Sequence, residues 1–230
     1  AQGAPAPETE FVLKKFNLSA PEIVSSVAGN DVYLVDYSDL AQAPEDFSKA
    51  KLLGIIDHHK LGDVTSDSPV ECWIQPVGCS NTVIKIMHDF YGVAIDKNLA
   101  GAMLCAILSD TVLFKSPTCT DADKKAASEL AAIAGITDMQ ALGMDMFKAK
   151  SCLDGASPRD LIFRDFKDFN MSGKKIGIGQ LELISLEMVT PELKSALKAE
   201  LDAVKNEGRH SAILVLTDIM KEGSELMLSS

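Results

Sequence analysis

The chain has 230 residues, 47 % apolar and 24 % charged. That balance excludes wholesale disorder and leaves room for one large domain or two modest ones. Acidic residues outnumber basic ones 33 to 22, a formal net charge of −11, which argues against nucleic acid as a partner but leaves small anions open where a local cation inverts the field.

No apolar run approaches the roughly 20 residues of a membrane span. Ala1 to Glu10 lack the basic start and apolar core of a secretion signal. Cys72, Cys79, Cys105, Cys119 and Cys152 are odd in number and never spaced Cys-x-x-Cys. They predict neither a disulfide scaffold nor a structural zinc site, and point to a reducing cytoplasm.

In chain order, the first ten residues read as a loop, Thr9 to Phe16 as a short helix, and Pro21 to Val27 as another capped by Ser19. Val32 to Val35 and Lys51 to Ile56 are apolar runs that stop abruptly at Asp36 and Asp57. Without alternation they predict strands of a parallel sheet buried on both faces, joined by a short crossover over Leu40 to Ala50. Val70 to Ile74 adds a third strand. Thr82 to Tyr91 predicts a helix closed by Gly92, Leu99 to Leu108 a buried helix, Thr120 to Ala134 a capped helix ending at Gly135, and Thr137 to Lys150 a helix capped by Thr137.

Ser151 to Pro158, with Gly, Pro, Asp and two Ser, predicts a linker. Strands follow at Leu161 to Phe166 and Lys175 to Leu181, then a helix from Pro191 to Lys205 between Thr190 and Gly208. Strands at Ser211 to Thr217 and from Glu225 to Leu228 close the chain. The expected class is α/β: a mainly parallel sheet with helices on both faces over residues 1–150, a linker over 151–158, and a smaller mixed α/β domain over 159–230.

Asp57-His58-His59 ends an apolar strand, where open α/β sheets place ligands. Asp36 ends the neighbouring strand, and Asp110 follows a buried helix, where an unpaired carboxylate is costly. Carboxylates with an imidazole suit a hard or borderline divalent ion, and two such ions about 3.5–4 Å apart activate water toward an electrophile such as phosphorus. The competing reading makes Asp36 and Asp57 strand-end caps and the histidines turn residues. Arg159 and Arg164, flanking the linker, read as interdomain ion pairs. His88 reads as a solvated helix residue, and Lys167 taken alone as a surface lysine.

Val35-Asp36, Ile56-Asp57-His58-His59-Lys60, and Ser109-Asp110-Thr111 with Phe114-Lys115-Ser116-Pro117-Thr118 resemble the DHH phosphoesterase superfamily, and within it the family II, manganese-dependent inorganic pyrophosphatases. Gly78-Cys79-Ser80-Asn81-Thr82 agrees with the same family. The resemblance implies hydrolysis of pyrophosphate to two phosphates by hydroxide activated on two Mn²⁺ ions, with Co²⁺ or Mg²⁺ as alternatives, in a cleft between two domains. It makes Asp36, His58 and Asp110 metal ligands, His59 the residue that meets substrate and protonates the leaving group, and Lys167 a phosphate contact. It also implies a homodimer through the first domain, for which Glu71 to Ile74 with Trp73 offers an edge. Trp73 packed in the core is the equal alternative.

The chain departs from that family's pattern in three places. Tyr37 stands where a His often follows the bridging Asp. The opening His-x-x-x-Asp-x-Asp and the closing Ser-Arg-Lys-Lys motifs do not occur in these 230 residues. A piece lacking both ends is therefore expected, binding Mn²⁺ weakly and hydrolysing pyrophosphate poorly. The alternatives are another DHH phosphoesterase acting on nucleotides, or a catalytically deficient fragment that retains the fold.

Overall fold

Three apolar runs of the first half form one parallel sheet. In the computed structural model, which describes residues 3–230, β1 (Asp31–Val35), β2 (Lys51–Asp57) and β3 (Glu71–Ile74) stand in the order β1-β2-β3. Both pairings are parallel. The β1–β2 crossover is made of two single 3-10 turns, Leu40–Gln42 and Phe47–Lys49. Leu34, Ile55 and Phe47 are buried together there, with Val32, Tyr37 and Leu52 packed on them.

The helices follow their caps. α1 (Pro7–Lys15) begins two residues before the predicted start, because Pro7 already holds the φ that a first turn needs. This shortens the predicted loop of the first ten residues, of which Ala1 and Gln2 lie outside the described residues. α2 (Ser80–Tyr91) stops at Gly92 in the left-handed conformation, φ +66°. α3 (Lys97–Asp110) is apolar nearly all round and buries Met103, Leu104, Ile107 and Leu108. α4 (Asp121–Ala134) carries a capping box between Thr120 and Asp123. α5 (Met139–Lys150) is started not by Thr137 but by Asp138, whose carboxylate accepts from the Ala141 amide at 2.8 Å.

Two predicted elements are corrected. Pro21 to Val27 is irregular rather than helical. Only Val27 packs on the cluster around Leu34, while Ile23 and Val24 are 65 % and 42 % exposed, so no apolar face holds a helix here. Its polar groups are drawn away instead, since Ser26 Oγ and the amides of Val27 and Ala28 donate to Asp46. Leu161 to Phe166 begins as a helix, α6 (Pro158–Ile162), continued by a 3-10 turn. The Ser157/Asp160 capping box and Pro158 at its first position decide that segment before the β-prone Ile and Phe can.

The chain divides into two compact units, Ala1–Met146 and Phe147–Ser230. In the second, β4 (Phe166–Met171), β5 (Lys174–Leu183), β6 (Ser211–Asp218) and β7 (Gly223–Ser229) form a mixed sheet in that order, parallel only between β5 and β6. That parallel pair is bridged by α7 (Pro191–Asn206). Leu161, Ile162, Leu181, Leu183, Leu197, Leu201 and Leu214 make its core. Arg159 and Arg164, expected to pair across domains, both work inside this unit. Arg159 pairs with Glu200 and Glu207, and Arg164 donates to the carbonyls of Lys150 and Cys152.

Candidate metal centre

β1 and β2 end side by side. The Asp36 amide donates to the Ile56 carbonyl at 2.9 Å, extending the parallel ladder by one residue to the point where both strands turn polar. Asp36 then adopts φ +72°. Among L residues Asp tolerates this left-handed region comparatively well. Its carboxylate is held by Ser80 at the start of α2, whose hydroxyl donates to Oδ1 at 2.7 Å.

Asp57, one strand over, is fully buried. Its Oδ1 accepts from the amides of His58 and His59 at 2.8 and 3.1 Å and lies 2.8 Å from His59 Nδ1. A carboxylate only accepts, so His59 Nδ1 carries a proton and the neutral ring presents a bare Nε2. His58 is fixed the same way: Nδ1 lies 3.0 Å from the Val77 carbonyl, so it donates there and Nε2 is bare.

His58 Nε2 lies 3.5 Å from Asp36 Oδ1. An imidazole lone pair thus faces a carboxylate oxygen, an arrangement that asks for a cation between them or a second proton on His58. One ligand atom each from Asp36, His58 and His59 lies within 4.8 Å of the others. Asp57 Oδ2 is buried without a hydrogen-bond partner, adding uncompensated negative character beneath the histidines. The donor set fits a borderline divalent cation whose imidazole ligand is oriented by a backbone carbonyl.

Asp110 is the last residue of α3. With Asp36 it lines a cavity of about 320 Å³ that also includes Cys79, Ser80 and Ser109. The buried Cys79 sulfur, which accepts from the Asn81 amide at 3.3 Å, lines this cavity together with Asp110. Burial first, and the Asp110 carboxylate second, push that thiol's pKa far above its usual range, so Cys79 stays protonated. After Asp110 the chain makes a left-handed turn, with Val112, Leu113 and Phe114 at φ +49°, +52° and +66°. Thr111 clamps it by donating to the Ile107 carbonyl at 2.6 Å and accepting from the Phe114 amide at 3.2 Å. Such strain in L residues persists only where surrounding contacts enforce it, commonly at functional sites.

The structure thus gathers Asp36, His58 and His59 and sets Asp110 on the cavity beside Asp36. Lys167 stands in the second unit, exposed on β4 opposite Ile178. His88 stands in the last turn of α2 with Nδ1 3.0 Å from the Val93 carbonyl. Tyr37 packs on the Leu34–Phe47–Ile55 cluster. The sequence reading leaves out the residues that orient the ligands: Asp57 toward His59, the Val77 carbonyl toward His58, and Ser80 toward Asp36. Asp57 sits inside the recognised triplet, so a strand-end cap followed by two histidines is the available signal. Ser80 lies in the Gly78–Thr82 string, which marks the loop without giving Ser80 this role, and for Val77 no local signal exists.

Residues 144–230 match the DHHA2 domain family. A protein of Archaeoglobus fulgidus, assigned as a manganese-dependent inorganic pyrophosphatase, is 47 % identical over 99 % of this chain and 70 % of its own length. The manganese-dependent inorganic pyrophosphatase of Methanocaldococcus jannaschii is 44 % identical over 96 % of this chain and 75 % of its own. A crystal structure from Methanococcus jannaschii, assigned to the family II inorganic pyrophosphatases, superposes with a TM-score of 0.88 at 42 % identity, covering all of this chain and 78 % of that one.

Proposed function

This chain belongs to the manganese-dependent inorganic pyrophosphatases, and from that premise we propose that it hydrolyses inorganic pyrophosphate to two phosphates through the strand-end cluster of its first unit. The observation that carries the reading is the bare His58 Nε2 facing the Asp36 carboxylate at 3.5 Å. We assign Asp36, His58 and Asp110 to hold the metal, His59 to catalysis and substrate binding, and Lys167 to a phosphate oxygen, with residues 1–150 and 159–230 as the two functional domains.

Bound Mn²⁺, two ions per complete site, supplies Lewis acidity and lowers the pKa of water toward neutrality. Co²⁺ and Mg²⁺ suit the same oxygen and nitrogen donors. The chain's own residues do the rest. His58 offers Nε2 because Val77 occupies Nδ1. His59, anchored through Nδ1–H on Asp57, holds a proton at Nε2 when charged and passes it to the leaving phosphate, a task suited to an imidazole near neutral pH. The Lys167 ammonium meets charge on a phosphate oxygen.

The relatives' names favour pyrophosphate over nucleotides as substrate. Five free cysteines support a reducing, cytoplasmic setting, and no described helix is long and apolar enough to cross a membrane. A homodimer through the first domain completes the proposal.

The test is Mn²⁺ titration by electron paramagnetic resonance alongside phosphate release from pyrophosphate and from nucleotides. Mn²⁺-dependent release from pyrophosphate alone is expected, with His58→Ala weakening Mn²⁺ binding at least ~10-fold. Unchanged Mn²⁺ binding in His58→Ala removes this residue from the site. Release from nucleotides but not pyrophosphate overturns the substrate.

A further inference from the structure

Asp123, in the first turn of α4, is fully buried, yet nothing in the chemistry above uses it. A capping box explains half of its bonding: Thr120 donates its amide and its hydroxyl to Oδ2, each at 2.7 Å. The other half goes elsewhere. Oδ2 also accepts from the Gly78 amide at 2.8 Å, and Oδ1 from the Thr82 hydroxyl at 2.6 Å. Burial alone would raise the pKa of this carboxyl, but the bonds from Thr82, Thr120 and Gly78 outweigh it and hold the pKa below the usual range.

Gly78 and Thr82 bracket the loop from which the proposed metal ligands are steered. Between them, or directly beside Gly78, lie the Val77 carbonyl facing His58 Nδ1, the Cys79 side chain that lines one cavity with Asp110, and the Ser80 hydroxyl on Asp36. The loop has no slack toward α4. A Cβ on Gly78 would lie 2.9 Å from Asp123 Oδ2 and 2.8 Å from the Thr111 methyl, next to Asp110.

We propose that Asp123 is the positioning residue of the metal centre: by gripping Gly78 and Thr82 it fixes the loop that sets the tautomer of His58 and the aim of Asp36 and Asp110. The proposal rests on the metal reading of those three residues. It differs from a capping role because Thr120 and Thr82 divide the two functions between them.

The experiment compares Asp123→Asn, Thr82→Val, Thr82→Ser and Thr120→Ala in the full chain. The His58 ring ¹⁵N shifts are read without metal, Mn²⁺ affinity by electron paramagnetic resonance, and folding by thermal melts. Thr82→Val and Asp123→Asn are expected to turn the single Nδ1–H form of His58 into a mixture and to weaken Mn²⁺ binding about 10-fold. Thr82→Ser restores both, and Thr120→Ala lowers only the melting temperature. Should Asp123→Asn not fold, the Thr82→Val and Thr82→Ser pair decides. Wild-type ¹⁵N shifts and Mn²⁺ affinity in Thr82→Val, with only a lowered melting temperature, overturn the proposal. So does a Thr120→Ala effect on His58 equal to that of Thr82→Val. If wild-type protein binds no Mn²⁺, the metal reading fails, while the ¹⁵N shifts still decide whether Asp123 governs His58.

Discussion

Two aspartates end neighbouring strands and do opposite jobs. Asp57 is buried and spends one oxygen on organising the two residues after it, whereas Asp36 is more than half exposed and offers its carboxylate outward. Carboxylates that organise structure leave a signature in acid. Asp168, beside Lys167 on β4, is held below the usual carboxylate range chiefly by the hydrogen bonds of Arg209, helped by Lys175 and opposed by partial burial. A folded-state pKa depressed below the unfolded 3.8 contributes stability that is present above 3.8 and lost as pH falls through the folded value. Asp168→Asn is therefore expected to melt a few degrees below wild type at pH 6, with the gap closing as pH falls to 3. A gap that stays constant over that range would mean the carboxylate's charge contributes nothing.

At the scale of elements, α1 meets α3 through one point of extreme closeness. Phe16, just past the end of α1, lays its ring over Gly101, where a Cβ would lie 2.1 Å from a ring carbon. Both residues are buried, and a methyl there must displace the ring. Overpacking of this kind costs about 1–3 kcal/mol, even though Ala gains up to ~1 kcal/mol over Gly in helix propensity. Gly101→Ala is expected to lower stability in urea unfolding, and Phe16→Leu in that background to recover part of it. Stability in Gly101→Ala at or above wild type would show that α1 is not tightly docked. Gly101 also shows where sequence reading stops. The apolar run of α3 is plain, but which of its residues must be small depends on Phe16, 85 positions away. The strand-end aspartates, Gly92, Gly135 and the Thr120 cap are legible because each is a local device. Leu161 to Phe166 misleads because the Ser157/Asp160 box overrides β-prone residues beyond it. Asp123 stands in the first turn of the helix that the Thr120 cap predicts, and only the folded chain brings Gly78 and Thr82 to it.

At the scale of the molecule, the first unit presents an apolar patch at one edge of its sheet. β3 is the last strand in the order β1-β2-β3, and Trp73 on it is half-buried. Its ring packs edge-on to Phe90 at 5.3 Å and tilted to Tyr91 at 6.0 Å. Phe90 is 70 % exposed and Val93 55 %. Glu71 accepts from both Trp73 Nε1 and the Tyr91 hydroxyl, at 2.8 and 2.6 Å, so the polar tips are satisfied and the ring faces are left to solvent. An unpaired strand edge beside exposed aromatic rings is the kind of surface that proteins cover or pair. In a chain of net charge −11 a surface made mainly of ring faces lets two copies meet with less repulsion, with the Glu71 carboxylate inside it tied to Trp73 and Tyr91. A stable homodimer hides on the order of 800 Å² per partner, so these rings would form the centre of an interface rather than all of it. Trp73→Glu would place a carboxylate at that centre, where burying an unpaired charge is costly. Sedimentation velocity is expected to show the wild type at twice 24.7 kDa and the variant at 24.7 kDa, with circular dichroism unchanged. Phe90→Glu, approaching the same patch from α2, should dissociate the dimer equally. Dimer mass retained by both variants, each folded, would move the interface away from β3.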